Sequence, residues 1–367
     1  MSKIAICADI HFGVPGRTDD IIWACELIRQ YCNINNIDNI IVLGDLYHNR
    51  QSIDIDINHK VFKFFEHTFK DYKQNWIVFP GNHDMFLRYS WKINSLYPLK
   101  KYMTVIEDVS ILKIDNTNFW IVPFITYEKT YMKVINTIIK HEKFNHNQDY
   151  LLTHIGVRSA TMNTCFLIKD WSIVSFENLP FKKVFTGHFH SQQQIGKNVF
   201  YPGSPIPFKF DEGDVAHGFY ILDIDKEEQQ FIDLWDLNKQ LKPNTLPPPQ
   251  FKTISEEDVD KLSLDDIQYN NIRISSIKEL TNKEKSDIKN KLKNQNVKNV
   301  RWLDLSIKDE INEKVINNTK LTGDIFDQWL SLDAKNLKDL DHKVLKQCNQ
   351  EIVHEADEIY SIESNEE

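Results

Sequence analysis

Short apolar runs recur along the first half of the chain, and each ends in a polar cluster. The runs are four to six residues long and rich in β-branched side chains, which predicts strands buried on both faces of a sheet. They cover residues 3–8, 39–43, 76–80, 150–153 and 182–186. Segments of about the length of a crossover helix separate the first three runs, and this alternation predicts a layered α/β core.

Two helices are predicted between these first three strands. Asp19 and Asp20 can begin the first one, which turns an apolar face inward through Ile21, Ile22, Cys25, Ile28 and Cys32. The second spans roughly residues 57–71 and carries Val61, Phe62, Phe64, Phe65 and Phe69. Periodicity leaves two interpretations of this second helix open, because it cannot distinguish burial within one domain from contact with another molecule.

The pattern changes after about residue 195. Residues 198–201, 218–222 and 229–235 predict short antiparallel strands, and the proline-rich stretch over 242–249 predicts a stiff linker. Near the end of the chain, one apolar stripe of a predicted helix is formed by Leu337, Leu340, Val344, Cys348 and Ile352. The predicted division is a first domain over 1–240, a linker over 241–250, a small α+β domain over 251–310, a helical segment over 319–357 and an acidic tail over 358–367.

Composition and charge narrow the class of protein. Of the 367 residues, 41% are hydrophobic, which is enough for a sizeable core. Residues 1–225 hold 23 basic and 24 acidic side chains, whereas residues 226–367 hold 21 and 29. The first part therefore neither excludes nor favours a polyanionic substrate. The five cysteines follow no pattern, the first apolar run is too short for a signal peptide, and no run reaches the roughly 18 apolar residues needed to span a membrane. These features predict a cytoplasmic protein, in the host cytoplasm if viral, without a membrane partner.

The polar clusters at the strand ends are the candidate chemistry. Asp9 and His11 follow the first run and Asp45 follows the second. The remaining ones are Asn82, His83 and Asp84 after the third run, His154 after the fourth, and His188 and His190 after the fifth. Each cluster alone has a structural explanation, such as a turn, a cap or a buried histidine with a satisfied hydrogen bond.

Taken together, the clusters predict a metal site. Polar residues at the carboxyl ends of strands meet at one edge of such a core. Two carboxylates, one amide and four imidazoles can hold two metal ions that share one bridging carboxylate. Mixed oxygen and nitrogen ligands suit manganese, iron or zinc better than calcium or magnesium. Two ions roughly 3.5–4 Å apart clamp a phosphoryl group for in-line displacement, so we expect phosphate-ester hydrolysis.

The motifs also resemble a known family. In order, Asp9-x-His11, Gly44-Asp45-x-x-His48, Gly81-Asn82-His83-Asp84, His154 and Gly187-His188-x-His190 resemble the calcineurin-like metallophosphoesterase superfamily. Within it, the chain is similar to the SbcD-type DNA repair nucleases, the meiotic-recombination-eleven family, and above all to its bacteriophage recombination endonuclease subunits. Protein phosphatases of the superfamily carry Asp in place of His48 and Glu in place of Asp84. Residues 201–205, Tyr-Pro-Gly-Ser-Pro, resemble the Pro-Gly-Ser element of the nucleases.

The resemblance implies a fold and a role for each motif residue. The fold would be a four-layer α-β-β-α core with a small α+β capping domain and C-terminal helices. Asp9, His11 and His190 would hold one metal ion; Asn82, His154 and His188 would hold the other; Asp45 would bridge them. His83 would stabilise charge or protonate the leaving oxygen near the scissile phosphate, because imidazole exchanges protons near neutral pH. Asp84 would orient His83, and His48 would touch the phosphate or help position DNA.

The resemblance further implies an activity and partners. Such nucleases use manganese, degrade duplex DNA from 3′ to 5′ and cut single strands internally. They act as homodimers, through helices corresponding to residues 57–71, and bind an SbcC-type coiled-coil ATPase, here through the helical segment 319–357. The acidic 251–310 domain departs from that pattern, and no DNA-contact residue is assigned. Two alternatives remain open: a small-molecule or cyclic-nucleotide phosphodiesterase or phosphatase on the same core, and a non-catalytic assembly subunit.

Overall fold

The structure is a computed structural model that describes residues 2–304 except 73, 88–89, 158, 164–165, 168–178, 214, 260, 262–269 and 294–295. Residues 2–276 and 280–303 belong to one compact unit, within the ranges described. Residues 277–279 group with residues 304–367. Within 304–367, the structure describes only residue 304. The predicted helical segment 319–357 and the acidic tail 358–367 therefore lie outside the described residues.

The described elements are strands and helices in alternation. In chain order the strands are β1 (Lys3–Cys7), β2 (Asn39–Val42), β3 (Asn75–Val78), β4 (Met85–Leu87), β5 (Ser90–Asn94), β6 (Thr104–Val105), β7 (Ser110–Ile114), β8 (Thr117–Val122), β9 (Tyr150–His154), β10 (Thr161–Asn163), β11 (Phe166–Leu167), β12 (Lys183–Gly187), β13 (Gln193–Ile195), β14 (Val199–Tyr201), β15 (Gly218–Asp223), β16 (Glu228–Asp233), β17 (Phe251–Ser255), β18 (Asn271–Ser276) and β19 (Asn299–Asp304). The helices are α1 (Thr18–Ile34), α2 (Ile55–His67), α3 (Glu128–Ile139), α4 (Leu234–Leu241) and α5 (Asn282–Lys293).

Two mixed sheets form the centre of the unit. The first has the strand order β16-β15-β1-β2-β3-β6, in which β1, β2, β3 and β6 are parallel and β15 runs antiparallel to both of its neighbours. The second has the order β13-β14-β12-β9-β8-β7, with the four inner strands parallel and both outer strands antiparallel. Each sheet therefore sends the carboxyl ends of several parallel strands to one edge.

The sheets pack face to face, and helices cover their outer faces. Ile6, Ile41 and Ile77 stand side by side in the first sheet and share a buried cluster with Leu152 and Phe185 of the second. The opposite face of the first sheet packs against α1, α2 and α4, and that of the second sheet against α3. This order of helix, sheet, sheet and helix confirms the predicted four-layer α/β core.

Helices α1 and α2 form where the apolar periodicity predicts them. The predicted inward face of α1 is buried, with Ile21, Cys25, Ile28 and Cys32 inaccessible to solvent. In α2, Val61, Phe64 and Phe65 are buried in the same outer cluster, so much of this helix packs within its own unit. Phe69, just beyond the helix, is 51% exposed.

A small sheet follows the core. Its order is β17-β18-β19, with β17 and β18 parallel, and Leu292 of α5 packs into its buried cluster. Strand β18, helix α5 and strand β19 follow one another here, so this part of the predicted 251–310 range contains both helix and strand. The turn over Phe210–Glu212 joins this sheet to the core, because the Phe210 ring lies 4.9 Å from that of Phe251 and Asp211 pairs with Arg273 at 3.1 Å. Among the described residues, no helix is both long and apolar enough to cross a membrane.

Candidate metal centre

The candidate residues converge where the two sheets present the carboxyl ends of their strands. Asp9 and His11 follow β1, Asp45 follows β2, and Asn82 follows β3 in the first sheet. His154 is the last residue of β9, and His188 and His190 follow β12, its neighbour in the second sheet. Because the sheets pack face to face, loops from both meet over one edge.

The backbone at this edge is strained. Asp9, His11 and Asp45 have φ of 52°, 54° and 53°, and His188 has φ of 100°. Residues other than glycine rarely adopt such left-handed backbone conformations, because these conformations cost energy. They persist where the surrounding structure holds them in place, which is often at functional sites. Four of the seven predicted metal ligands therefore occupy conformations that the chain retains at a cost.

Two glycines allow the loops to approach one another. A Cβ on Gly81 would lie 2.2 Å from Asp45 Oδ1, and a Cβ on Gly187 would lie 2.5 Å from the Leu43 carbonyl oxygen. Both distances are far below van der Waals contact. Glycine at these positions is what permits the candidate ligands to come together.

One group of candidate ligands comprises Asp9, His11 and His190. His11 Nε2 lies 3.1 Å from His190 Nε2 and 3.9 Å from Asp9 Oδ1. Asp9 also accepts the backbone N–H of His188 at 3.0 Å, which ties the β1 loop to the β12 loop. The family resemblance implied that these three residues hold one metal ion, and the structure places their side chains together.

The second group comprises Asn82, His154 and His188. Asn82 Oδ1 lies 3.0 Å from His154 Nε2 and 2.9 Å from His188 Nδ1. Asp45 stands between the groups, with its Oδ2 3.3 Å from His154 Nε2 and 3.7 Å from His11 Nε2. This intermediate position is the one required of a bridging carboxylate.

The hydrogen bonding at the centre fits metal ions. The Leu43 carbonyl can only accept, so His154 Nδ1 donates to it at 2.7 Å. In the neutral form that a metal ligand requires, the Nε2 lone pair of His154 then faces acceptor oxygens of Asp45 and Asn82. Burial lowers the pKa of His154, but the charges of Asp45 and Asp9 outweigh it and raise that pKa to about 9, so a bound metal ion would have to displace a proton from this ring. Nε2 of His11 likewise faces Nε2 of His190 at 3.1 Å. A divalent ion would satisfy such facing lone pairs, and carboxylate, amide and imidazole groups are ligands for one.

Burial and mutual charge shift the titration of the site. Burial raises the pKa of Asp9 to about 7, although neighbouring histidines oppose the shift. Burial also acts to raise the pKa of Asp45, but the charges of His154, His11 and His83 outweigh it and lower that pKa overall. Burial lowers the pKa of His188 to about 3, which keeps the ring neutral and available as a ligand.

His48 and His83 form a separate pair beside these ligands. Their rings stack with centroids 5.6 Å apart, and the His83 ring meets that of His11 edge-on at 4.9 Å. His83 Nδ1 donates to the His48 carbonyl at 2.6 Å, and the backbone N–H of His83 donates to Asp45 Oδ1 at 2.7 Å. Both imidazoles are also partly exposed to solvent. The pair therefore lies beside the metal ligands and can be reached from solvent.

The position of Asp84 differs from the prediction that it orients His83. Its buried carboxylate accepts the backbone N–H groups of Leu46, Tyr47 and Gly81 at 3.0–3.2 Å. The hydrogen-bond partner of the His83 ring is instead the His48 carbonyl. Asp84 thus fixes the loop after β2 to the loop after β3, and its influence on the imidazole passes through the backbone.

Glu212 belongs to the centre although no pattern in the sequence marks it. This side chain is 1% exposed, and its Oε1 accepts from His190 Nδ1 at 2.9 Å. Its Oε2 accepts the backbone N–H of Phe208 at 2.8 Å. A carboxylate that holds the second nitrogen of a ligating histidine fixes the ring and makes it more basic. Accordingly, the Glu212 hydrogen bond raises the pKa of His190 despite the opposing effect of burial.

Replacing Glu212 with glutamine is expected to weaken binding of one of two metal ions by about 10- to 100-fold. The substitution removes the charge that supports His190, while the other group keeps its contacts. Calorimetric titration with Mn²⁺ measures the two affinities. Glu26→Gln is the matched control, because Glu26 is a partly buried carboxylate paired with Arg29 on α1. Equal Mn²⁺ affinities in Glu212→Gln and the unaltered protein would contradict this role.

Fold and site together define a phosphoesterase with a two-metal centre. A model of the calcineurin-like phosphoesterase family matches residues 2–192, and the chain belongs to that family. Members of this family bind a dinuclear metal centre and hydrolyse phosphate esters. In this chain, the described residues include three groups of side chains that could bind a metal ion. These groups are Asp9, His11 and His190; Asp9, Asp45 and His154; and His11, His48 and His83.

Similar proteins come from viruses and bacteria. A protein of Invertebrate iridescent virus 6 named "Putative phosphoesterase 244L" is 27% identical over 58% of this chain and 73% of its own length. A subunit of the nuclease SbcCD from Staphylococcus epidermidis is 22% identical over 65% of this chain and 71% of its own length. Among solved structures, a dimetal phosphatase from Danio rerio is 12% identical with a TM-score of 0.35, covering 60% of this chain and 91% of that one.

Proposed function

We propose that this protein is a dinuclear metal-dependent DNA nuclease, with 3′-to-5′ exonuclease activity on duplexes and endonuclease activity on single strands. The observation that carries the proposal is the stacked His48–His83 pair beside the metal ligands. A partly exposed imidazole at that position can hold a phosphate or transfer a proton to a leaving oxygen. Metal ions bound there would supply the activated water and the charge neutralisation that phosphodiester hydrolysis requires.

Two features support a nuclease over a phosphatase. The first is the similarity to the SbcCD nuclease subunit, which extends over 65% of this chain and so beyond the 2–192 family match. The second is the pair of motif positions His48 and Asp84, where protein phosphatases of the superfamily carry Asp and Glu. We propose Asp9, His11 and His190 as ligands of one ion, Asn82, His154 and His188 as ligands of the other, and Asp45 as the bridge.

We propose manganese as the working metal. The candidate ligands combine carboxylate, amide and imidazole groups, and no thiolate takes part among the described residues. This mixture favours manganese, iron or zinc over magnesium.

A nuclease assay tests the proposal. The substrates are end-labelled duplex DNA, circular single-stranded DNA and bis(4-nitrophenyl) phosphate, each with Mn²⁺ or Mg²⁺ and with or without an SbcC-type ATPase. We expect Mn²⁺-dependent cleavage of both DNAs, with 3′-terminal nucleotides released first from the duplex. Hydrolysis of the small diester with both DNAs intact would instead establish a small-molecule phosphodiesterase. Inactivity on all three would favour a non-catalytic assembly subunit.

We propose an SbcC-type ATPase as the partner of residues 319–357. Deleting residues 319–367 is expected to abolish co-purification with the ATPase while Mn²⁺-dependent nuclease activity remains. The physical reason is the apolar stripe from Leu337 to Ile352, which suits a helix laid against a coiled coil. Affinity capture of the tagged ATPase measures the interaction. Unchanged capture of the shortened chain would contradict this assignment.

We also propose that the protein is a homodimer through the face of α2 that its own core leaves open. Ile55 is 88% exposed at the start of α2 and Phe69 is 51% exposed just beyond its end. Sedimentation equilibrium at micromolar concentration tests this, and a strict monomer would contradict it.

A further inference from the structure

Two partly exposed phenylalanines flank the metal centre, and we call Phe124 and Phe208 the aromatic pair. The Phe208 ring meets the rings of His11 and His190 edge-on at 5.7 and 5.4 Å. The Phe124 ring lies nearly parallel to that of His188 at 6.0 Å and edge-on to that of His154 at 6.1 Å. One ring therefore adjoins each of the two groups of candidate ligands.

Backbone hydrogen bonds hold both members of the pair in place. Phe124 donates its N–H to the Pro80 carbonyl at 3.0 Å, and its carbonyl accepts from Trp91 Nε1 at 2.7 Å. The N–H of Phe208 donates to Glu212, the same carboxylate that supports His190. The rings are thus fixed relative to the metal ligands, and binding a substrate against them requires little further ordering.

We propose that the aromatic pair binds the two nucleosides on either side of the scissile phosphate, so that the centre accepts an unpaired strand. This inference rests on the proposed nuclease function and specifies its substrate. A partly exposed phenyl ring leaves some apolar surface in water, and a base of any identity can cover that surface by stacking on it. Lys209 follows Phe208 and has a half-exposed side chain, and a cation beside an aromatic ring is typical of single-strand sites.

The placement of the rings selects among phosphate esters. A phosphomonoester carries one organic substituent and would use one ring, whereas a phosphodiester carries two and would use both. In a duplex the faces of the bases are already stacked on their neighbours. Duplex DNA must therefore open locally at the scissile step before the aromatic pair can engage it.

Leucine and tyrosine variants of the full-length chain test the proposal. With Mn²⁺ and a single-stranded oligonucleotide, Phe124→Leu and Phe208→Leu are each expected to raise KM about tenfold with kcat within about twofold. Phe124→Tyr and Phe208→Tyr keep an aromatic face and should restore KM. Phe231→Leu is the control, because Phe231 is a partly exposed ring that packs on Tyr220 in the outer strands β15 and β16. Mn²⁺ titration of each variant shows whether the metal ligands are disturbed.

A second measurement uses the unaltered protein, so it does not depend on the folding of variants. An abasic residue on either side of one phosphate should lower cleavage at that phosphate about tenfold, while cleavage elsewhere continues. Any of three results would overturn the role of the aromatic pair: unchanged cleavage at the abasic step, unchanged KM in both leucine variants, or a raised KM that is explained by lost Mn²⁺. None of these results would contradict the nuclease proposal. Hydrolysis of bis(4-nitrophenyl) phosphate with all DNA intact would overturn both.

Discussion

Replacing Asp45 with alanine is expected to empty the metal centre and lower turnover of the proposed nuclease reaction by roughly a thousandfold or more, since two-metal catalysis supplies several kcal/mol of transition-state stabilisation. Asp45 lies within 3.7 Å of ring nitrogens from both groups of candidate ligands. Its other oxygen accepts the backbone N–H of His83. One substitution therefore removes the proposed bridge and releases the loop that carries His83.

Two variants separate these effects. Asp45→Asn keeps an oxygen for the His83 N–H but lacks the charge, so it should retain the loop and still bind fewer than two Mn²⁺ ions. Asp149→Ala is the control for loss of a buried carboxylate, because Asp149 accepts from Trp120 and Asn145 at the opposite end of β9. It should lower the melting temperature and keep both ions. Two fully occupied Mn²⁺ sites in Asp45→Ala, by calorimetry or anomalous scattering, would reject the bridging role.

Replacing His83 with alanine is expected to preserve both metal ions and to reduce turnover by about 100- to 10,000-fold, the usual contribution of a general acid or base. The contact between residue 83 and Asp45 uses the backbone N–H, which alanine retains. The imidazole itself donates to the His48 carbonyl and stacks on the His48 ring. Its removal therefore acts on proton transfer and phosphate contact rather than on the ligands.

Single-turnover cleavage of DNA with saturating Mn²⁺ measures this loss, with metal content determined on the same samples. His141→Ala is the matched control, because His141 is an exposed histidine that packs against Trp120, beyond the metal centre. It should cleave at the unaltered rate. A His83→Ala protein that cleaves as fast as His141→Ala would show that residue 83 has no chemical role.

The core and the convergence of the candidate ligands could be predicted because one physical rule covers both. Buried parallel strands must be apolar along their length, so the first polar residues after each run mark its carboxyl end. Asp9, Asp45 and His154 were found in this way, and the structure brings them within reach of one another. The left-handed backbone conformations of Asp9, His11 and Asp45 carry no signature in the sequence, because Asp and His occur in many ordinary turns.

Other parts of the site could not be predicted from such a pattern. Glu212 lies in a single turn between irregular segments, so neither strand nor helix periodicity marks it. The family resemblance implied that Asp84 orients His83, whereas three backbone N–H groups donate to its carboxylate and determine where it points. The placement of Phe124 and Phe208 beside the metal centre depends on how distant loops meet, which no local pattern of the sequence records.

Residues 208–213 contact both the small sheet and the metal ligands. Phe210 and Asp211 contact Phe251 and Arg273 of the small sheet, while Glu212, the next residue, holds His190. The small sheet is therefore not an interchangeable module. A chimera that grafts the corresponding sheet of another phosphoesterase onto this core would have to transplant this turn as well, or the graft would alter metal affinity along with substrate preference.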